Sequence, residues 1–168
     1  MAEATLTFDD LEVRRFIEAL INSMRDVSAE LKTAADQAGF PDIISHFRDE
    51  RGPDGAWQPR SQMTNMIYDL ISAGKRKAPK GIAAGAFSSS NKLLQLTGSL
   101  RQSVLPARKR DNLSVMLVAN KEYARIHDKG GQTRFGMIPA RPFMWLSDNA
   151  MEKMAQIFLG LMLNKADN

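Results

Sequence analysis

The sequence predicts an α+β domain: a long N-terminal helix and a C-terminal helix packed on a small antiparallel β-sheet, with an extended arm between them. Three observations carry this. Apolar residues recur at spacings of three and four near both ends of the chain, the period of one helix face. In the middle, LSVMLVA (113–119) is apolar and β-prone behind a turn signal. Between Gly74 and Ser90 the composition shifts to Gly, Ala, Ser and Lys with few bulky apolar residues, the signature of a flexible excursion.

Leu6 to Phe8 reads as a short strand ended by Asp9 and Asp10, one of which caps a helix running to about Gln37. Phe16, Ile17, Leu20, Ile21, Met24, Val27 and Leu31 form its apolar stripe, and Gly39 with Pro41 is the expected stop. Ile43 to Arg48 begins a second helix. Two glycines and two prolines make 51–59 a loop, with Trp57 as its anchor. Met63 to Ile71 is helix-compatible. Thr97-Gly98-Ser99 reads as a tight turn entering a strand. Val104 and Leu105, a turn at 110–112 and the 113–119 segment predict a β-hairpin. Tyr123 to Asp128 is a short helix broken by Gly130 and Gly131, and 138–143 is extended because each proline biases its predecessor away from the helical region. Ser147 is the natural N-cap of a final helix whose stripe is Met151, Met154, Ile157, Phe158, Leu161 and Met162.

At 168 residues and 18.7 kDa the chain fits a single domain, 1–168, with 74–90 as the arm. About 70% of its extended surface can be buried, enough for a core without covalent staples. There is no cysteine, which removes disulfides, thiolate zinc and a thiol nucleophile. A hydrophobic share of 43% and a charged share of 25% exclude wholesale disorder. No apolar run is long enough to span a bilayer and no signal peptide is readable, so the expectation is synthesis in a cytoplasm with no membrane partner.

Charge is distributed unevenly although its sum is only +4. The first 30 residues carry seven acids against three arginines. Between Asp69 and Asp111 there are nine bases and no acid, including the triplets Lys75, Arg76, Lys77 and Arg108, Lys109, Arg110. This basic patch suits DNA, a neighbouring subunit's acidic face, the chain's own N-terminal helix, or simply solvent.

Chemistry is not signalled. The two histidines, His46 and His127, have no further ligands at metal spacing, no nucleophile elbow surrounds any serine, and no phosphate loop is present. The expectation is no catalytic residue, no metal and no cofactor. The basic triplets lack interleaved aromatics, which argues against a single-strand platform, while salt-dependent phosphate contact remains open. A non-catalytic, basic DNA-binding accessory protein is therefore the alternative reading. The methionine stripe of the last helix reads as core or as an adaptable contact face.

Four segments, in order, carry a resemblance: GPDGAWQPRS (52–61), LQLTGSLRQS (94–103), YARIHDKGG (123–131) and IPARPFMWLS (138–147). Together they resemble the phage virion morphogenesis (tail completion) family of Mu-like and related tailed phages. The resemblance implies a structural virion component at the head–tail junction, made in the host cytoplasm, with no catalysis. It also implies a homo-oligomeric ring of six copies, partnered by neck, tail-tube or connector proteins, with non-specific contact to the double-stranded DNA passing through. Trp57, Gly98, Tyr123, His127, Arg141 and Phe143 are the anchors of these segments and candidates for subunit contact, with fold maintenance as the alternative for each. Trp57 is expected to pin its loop onto the sheet, Gly98 to turn with positive φ, His127 to reach a carbonyl, and Arg141 to fork onto a carboxylate or carbonyls. The acidic first helix and the basic 75–110 region are the expected complementary patches of the ring.

Overall fold

The computed structural model describes residues 10–88, 91–134 and 136–166. Its order is helix α1 (Asp10–Ser23), α2 (Ser28–Ala34), a π-turn (Ala35–Gly39), α3 (Phe40–Asp49), the two-residue pair β1 (Arg51–Gly52) and β2 (Gly55–Ala56), and α4 (Gln62–Ser72). A 3-10 turn (Ala84–Ala86), α5 (Ser99–Gln102), the hairpin β3 (Val104–Asp111) and β4 (Ser114–Ala119), α6 (Ala124–Lys129), the pair β5 (Gly131–Thr133) and β6 (Gly136–Ile138), and α7 (Asp148–Ala166) complete it. The α+β class stands. In place of one small sheet, the described residues contain three separate two-stranded antiparallel pairs. The strand expected over 6–8 lies outside the described residues.

The N-terminal helix is not continuous to Gln37. It breaks after Ser23 because Asp26 takes Ser28 into a local turn, its Oδ1 accepting from the Ser28 N–H (3.0 Å) and Oγ–H (2.6 Å). The hairpin tip fixes the break: the Val27 N–H donates to the Asn112 carbonyl at 2.8 Å, and Lys109 Nζ donates to Asp26 Oδ2 at 2.8 Å. Those bonds, led by Lys109, hold the Asp26 carboxyl well below the usual carboxylate range.

Gly39 and Pro41 do not stop the helix either. Proline lacks an N–H, and the backbone absorbs this with a π-turn, the Phe40 N–H reaching Ala35 O, so that Pro41 falls in the first turn of α3. Gly39 serves packing: a Cβ there would meet Met154 Sδ at 3.1 Å and Leu117 Cδ1 at 3.3 Å. The helix that does end is α3, where Glu50 adopts φ +51°.

The hairpin register runs Val104 against Ala119 to Asp111 against Ser114, with an irregularity between Leu105 and Arg108. Pro106 lies there and cannot donate to the ladder. The next amide, Ala107 N–H, is taken instead by Asp36 Oδ1 at 2.6 Å. The turn falls at 112–113, later than expected, because Asp111 Oδ1 accepts from the Leu113 N–H (2.8 Å) and Oδ2 from Ser114 Oγ (2.6 Å). α7 begins as its cap predicts, the Ala150 N–H donating to Ser147 Oγ at 3.2 Å. Ser147 is itself held by Asp42, which accepts from its N–H and Oγ–H, both at 2.8 Å.

The core is built on Phe47. Trp57 meets its edge at 5.9 Å and Phe143 tilts against it at 4.9 Å, with Ile43, Leu93, Leu100, Val104 and Ala124 closing around them. Of segment 74–88, Lys75, Arg76 and Lys77 are exposed, and the chain returns to the body through buried Phe87, edge-on to Tyr68 at 5.2 Å.

Candidate functional site: a cationic cleft where four segments meet

The 58–62 loop, one side of α4, the 93–100 loop, α6 and the strand β6 with its exit enclose a cleft of about 1100 Å³. All four segments singled out in the sequence contribute to it, although they are spread over almost a hundred residues. Each wall has its own support. The 93–100 loop is laid along the C-terminal end of α3, where carbonyls lack helical partners. Gln95 Nε2 donates to Phe47 O at 2.5 Å, Lys92 Nζ to Arg48 O, and the Leu93 N–H to Glu50 Oε1. Leu94, in the cleft wall, is held at φ +58°, a left-handed conformation that costs a leucine roughly 1 kcal/mol or more. Gly98, at φ +69°, then starts α5 rather than a strand.

Two guanidinium groups face the cleft, and among the described residues no Asp or Glu lines it. Arg60 stacks over the Tyr68 ring at 5.1 Å and donates to Asn91 O and to Asn65 Oδ1. Arg141 is only 7% exposed. Its Nε donates to Gln58 O at 2.9 Å and its Nη2 to Pro59 O at 3.3 Å, so it fastens the 58–62 loop to the exit of β6. Its main-chain N–H donates to His127 O at 2.8 Å, joining that exit to α6.

At the start of α6, the rings of the N-cap residue Tyr123 and of His127 meet edge to face at 5.8 Å on the cleft side. Burial, then the neighbouring Arg141 charge, lowers the His127 pKa below its ordinary value, so the imidazole is neutral at pH 7. Its Nδ1 is buried with no hydrogen-bond partner; the carbonyl expected for it is absent among the described residues. The next residue faces inward. Asp128 Oδ1 accepts from the Phe143 N–H at 2.9 Å and the Met144 N–H at 3.0 Å, and Lys129 Nζ lies 3.0 Å from Oδ2. Burial opposes ionisation of this carboxyl, but the two donors and Lys129 outweigh it and its pKa is lowered.

The residues expected from sequence fall into three groups. Tyr123, His127 and Arg141 line the cleft, and Gly98 sits between its lining residues Thr97 and Ser99. Trp57 and Phe143 lie beneath it in the core. Trp57 pins its loop onto α3 and the 142–143 segment, not onto a sheet: its Nε1–H donates to Pro142 O at 2.8 Å. The basic triplets lie elsewhere and apart, Lys75, Arg76 and Lys77 following α4, and Arg108, Lys109 and Arg110 on β3, where Lys109 pairs with the chain's own Asp26. Sequence reasoning passed over Arg60, Tyr68, Glu50 and Asp128. Arg60 carried a local signal, standing beside Pro59 in a quoted segment.

The serine and threonine hydroxyls at the cleft are committed to local structure. Ser61 Oγ caps α4 by accepting from the Thr64 N–H at 3.2 Å, and Thr97 Oγ1 and Ser99 Oγ bond one another at 2.6 Å. His46 is buried below, its Nδ1–H donating to Phe143 O at 3.0 Å while its ring stacks on Trp145 at 4.3 Å. Among the described residues no group of three or more acidic or histidine side chains is placed to hold a metal ion, and no helix is long and apolar enough to cross a membrane.

Fixed cationic groups, aromatic rings and apolar walls thus meet on a packed scaffold of mixed α and β structure. The chain belongs to the phage virion morphogenesis family, whose model matches residues 8–162. No curated protein and no solved structure matches it.

Proposed function

We propose that this protein is a non-catalytic structural component of the phage head–tail junction, completing the tail or joining it to the head as a homo-oligomeric ring in the virion. One observation carries the reading: four separate stretches of chain converge on a single cleft, where Arg141 and the serine and threonine hydroxyls are spent on holding its shape. Such a surface binds a neighbour by complementarity. With Arg60 and Arg141 on its walls and leucines at its base, the cleft suits an acidic segment with apolar side chains from an adjoining virion subunit.

The test is to produce particles carrying Tyr123→Ala with Met137→Glu, two exposed cleft residues. The expected result is full heads and unattached tails by electron microscopy, with the purified variant folded as the parent. Normal particles at normal titre would refute the reading. The alternative, a DNA-binding accessory role, predicts micromolar binding at physiological salt with a steep salt slope in gel shifts. That reading has less support, because Lys109 is already paired and the two basic triplets sit on different elements.

A further inference from the structure

The pair α1/α7 is unusual in how little of its apolar surface the chain covers. α1 packs chiefly against α7, which buries Ala150 and Met162 toward the body. On α1, Val13, Ile17 and Ile21, with Met24 just past its end, follow one another at spacings of four, four and three, so they form one ridge. On α7, Leu159 and Leu163 form a second ridge at a spacing of four. All six side chains are between 47% and 59% exposed. A helix stripe of this kind normally faces a core. Here only Leu20 and its small neighbours Ala19 and Ser23 are half-covered.

The areas are those of an interface. Taking about 200 Å² for a whole large apolar residue, the six present roughly 600 Å², the upper end of what a monomer's largest apolar patch reaches. One partner's share of a standard interface is about 800 Å². The composition of the two ridges, aliphatic and methionine with no charge among the six, fits a permanent interface between identical subunits better than a contact with a separate protein, which is more polar.

We infer that the apolar ridges of α1 and α7 are covered by a second copy of this chain. This deepens the ring reading by naming one of the ring's faces, and it rests on that reading only for the number of copies. None of the six residues lines the cleft, so a protomer carries two different contact surfaces, as a closed ring requires.

A photoreactive benzoylphenylalanine at Ile17 in the full chain inserts into C–H bonds of whatever covers the ridge and so reports its occupant. Purified protein and assembled particles are both irradiated, and the adduct is mapped by mass spectrometry. The expected product has twice the chain's mass. Ile17→Glu combined with Ile21→Glu is expected to lower the sedimenting mass to that of a monomer, with the circular dichroism unchanged, since both positions are half-exposed. An adduct with a different virion protein, no adduct in either sample, or a double variant that keeps the parental mass would each overturn the inference. If the adduct joins the α1 ridge to the same α1 ridge of the second copy, the inference stands and the closed ring falls, because that contact is two-fold. If the adduct joins the ridge to another surface of the second copy, both stand.

Discussion

Replacing Asp128 gives the sharpest check on how the cleft is held. Its side chain is 8% exposed and its Oδ1 is the acceptor for two consecutive main-chain donors, Phe143 N–H at 2.9 Å and Met144 N–H at 3.0 Å. Asp128→Ala leaves both without a partner beside fully buried Phe143. At about 1–3 kcal/mol for each orphaned donor, the loss is about 2–6 kcal/mol. For a domain of this size each kcal/mol shifts the melting temperature by about 2–4 °C. Asp128→Asn keeps an acceptor oxygen and loses only the charge, at a cost of about 1–2 kcal/mol.

The same carboxyl has a pH signature. Its folded pKa is depressed below the unfolded value of about 3.9, so its contribution is present above that pH and is lost as pH falls through the folded pKa. The gap between parent and Asp128→Asn is therefore expected to be constant from pH 7 to about 5 and to close below pH 4. Urea unfolding followed by tryptophan fluorescence, repeated down the pH series, measures both effects. An Asp128→Ala variant within about 0.5 kcal/mol of the parent at pH 7, or a gap to Asp128→Asn that persists in acid, would refute the role assigned to Asp128.

Two glycines give predictions of opposite sign. Gly130 lies at φ +70°, and a Cβ there would sit 2.7 Å from Ala140 N and 2.9 Å from Ile138 O, both backbone atoms. Gly130→Ala is expected to destabilise by about 2–4 kcal/mol in thermal melts, combining left-handed strain with a forced shift of the β6 exit. Gly160 lies in α7 with nothing within 4 Å of its Cβ position. Gly160→Ala is expected to stabilise by about 0.5–1 kcal/mol in the same assay, because alanine loses less backbone freedom in a helix.

What could be read from sequence was local. Ser147 capping α7 and the helical character of 63–71 depend on neighbours within four residues, and both are present. The breaks were not local. Asp26 ends α1 only because the tip of a hairpin some eighty residues later supplies Asn112 O and Lys109, which no periodicity reports. Pro41 looked like a terminator because a proline removes an i to i−4 bond, whereas a single π-turn absorbed the loss. At the cleft, Tyr123, His127 and Arg141 stood out as residues, but their meeting depends on Arg141 reaching back 83 positions to Gln58 O. Asp128 gave no signal of its own in the sequence, since its partners lie 15 and 16 residues ahead.

The uneven charge distribution also takes on a different meaning once the contacts are known. The simplest expectation sets an acidic N-terminal helix against a basic 75–110 region of the next subunit. Part of that charge is used inside one chain: Asp26 pairs with Lys109 of the basic region at 2.8 Å, and Glu30 with Lys165 of α7 at 2.9 Å. Exposed ion pairs add little to affinity in salt, whereas apolar burial contributes about 25 cal/mol per Å². About 600 Å² of ridge is thus worth about 15 kcal/mol before the costs of association, far more than the remaining charges supply. Self-association is therefore expected to persist in about 1 M NaCl, where the screening length shrinks to about 3 Å. Sedimentation at low and high salt measures this. Dissociation on adding salt would return the interface to the charged patches and remove the apolar ridges as its basis.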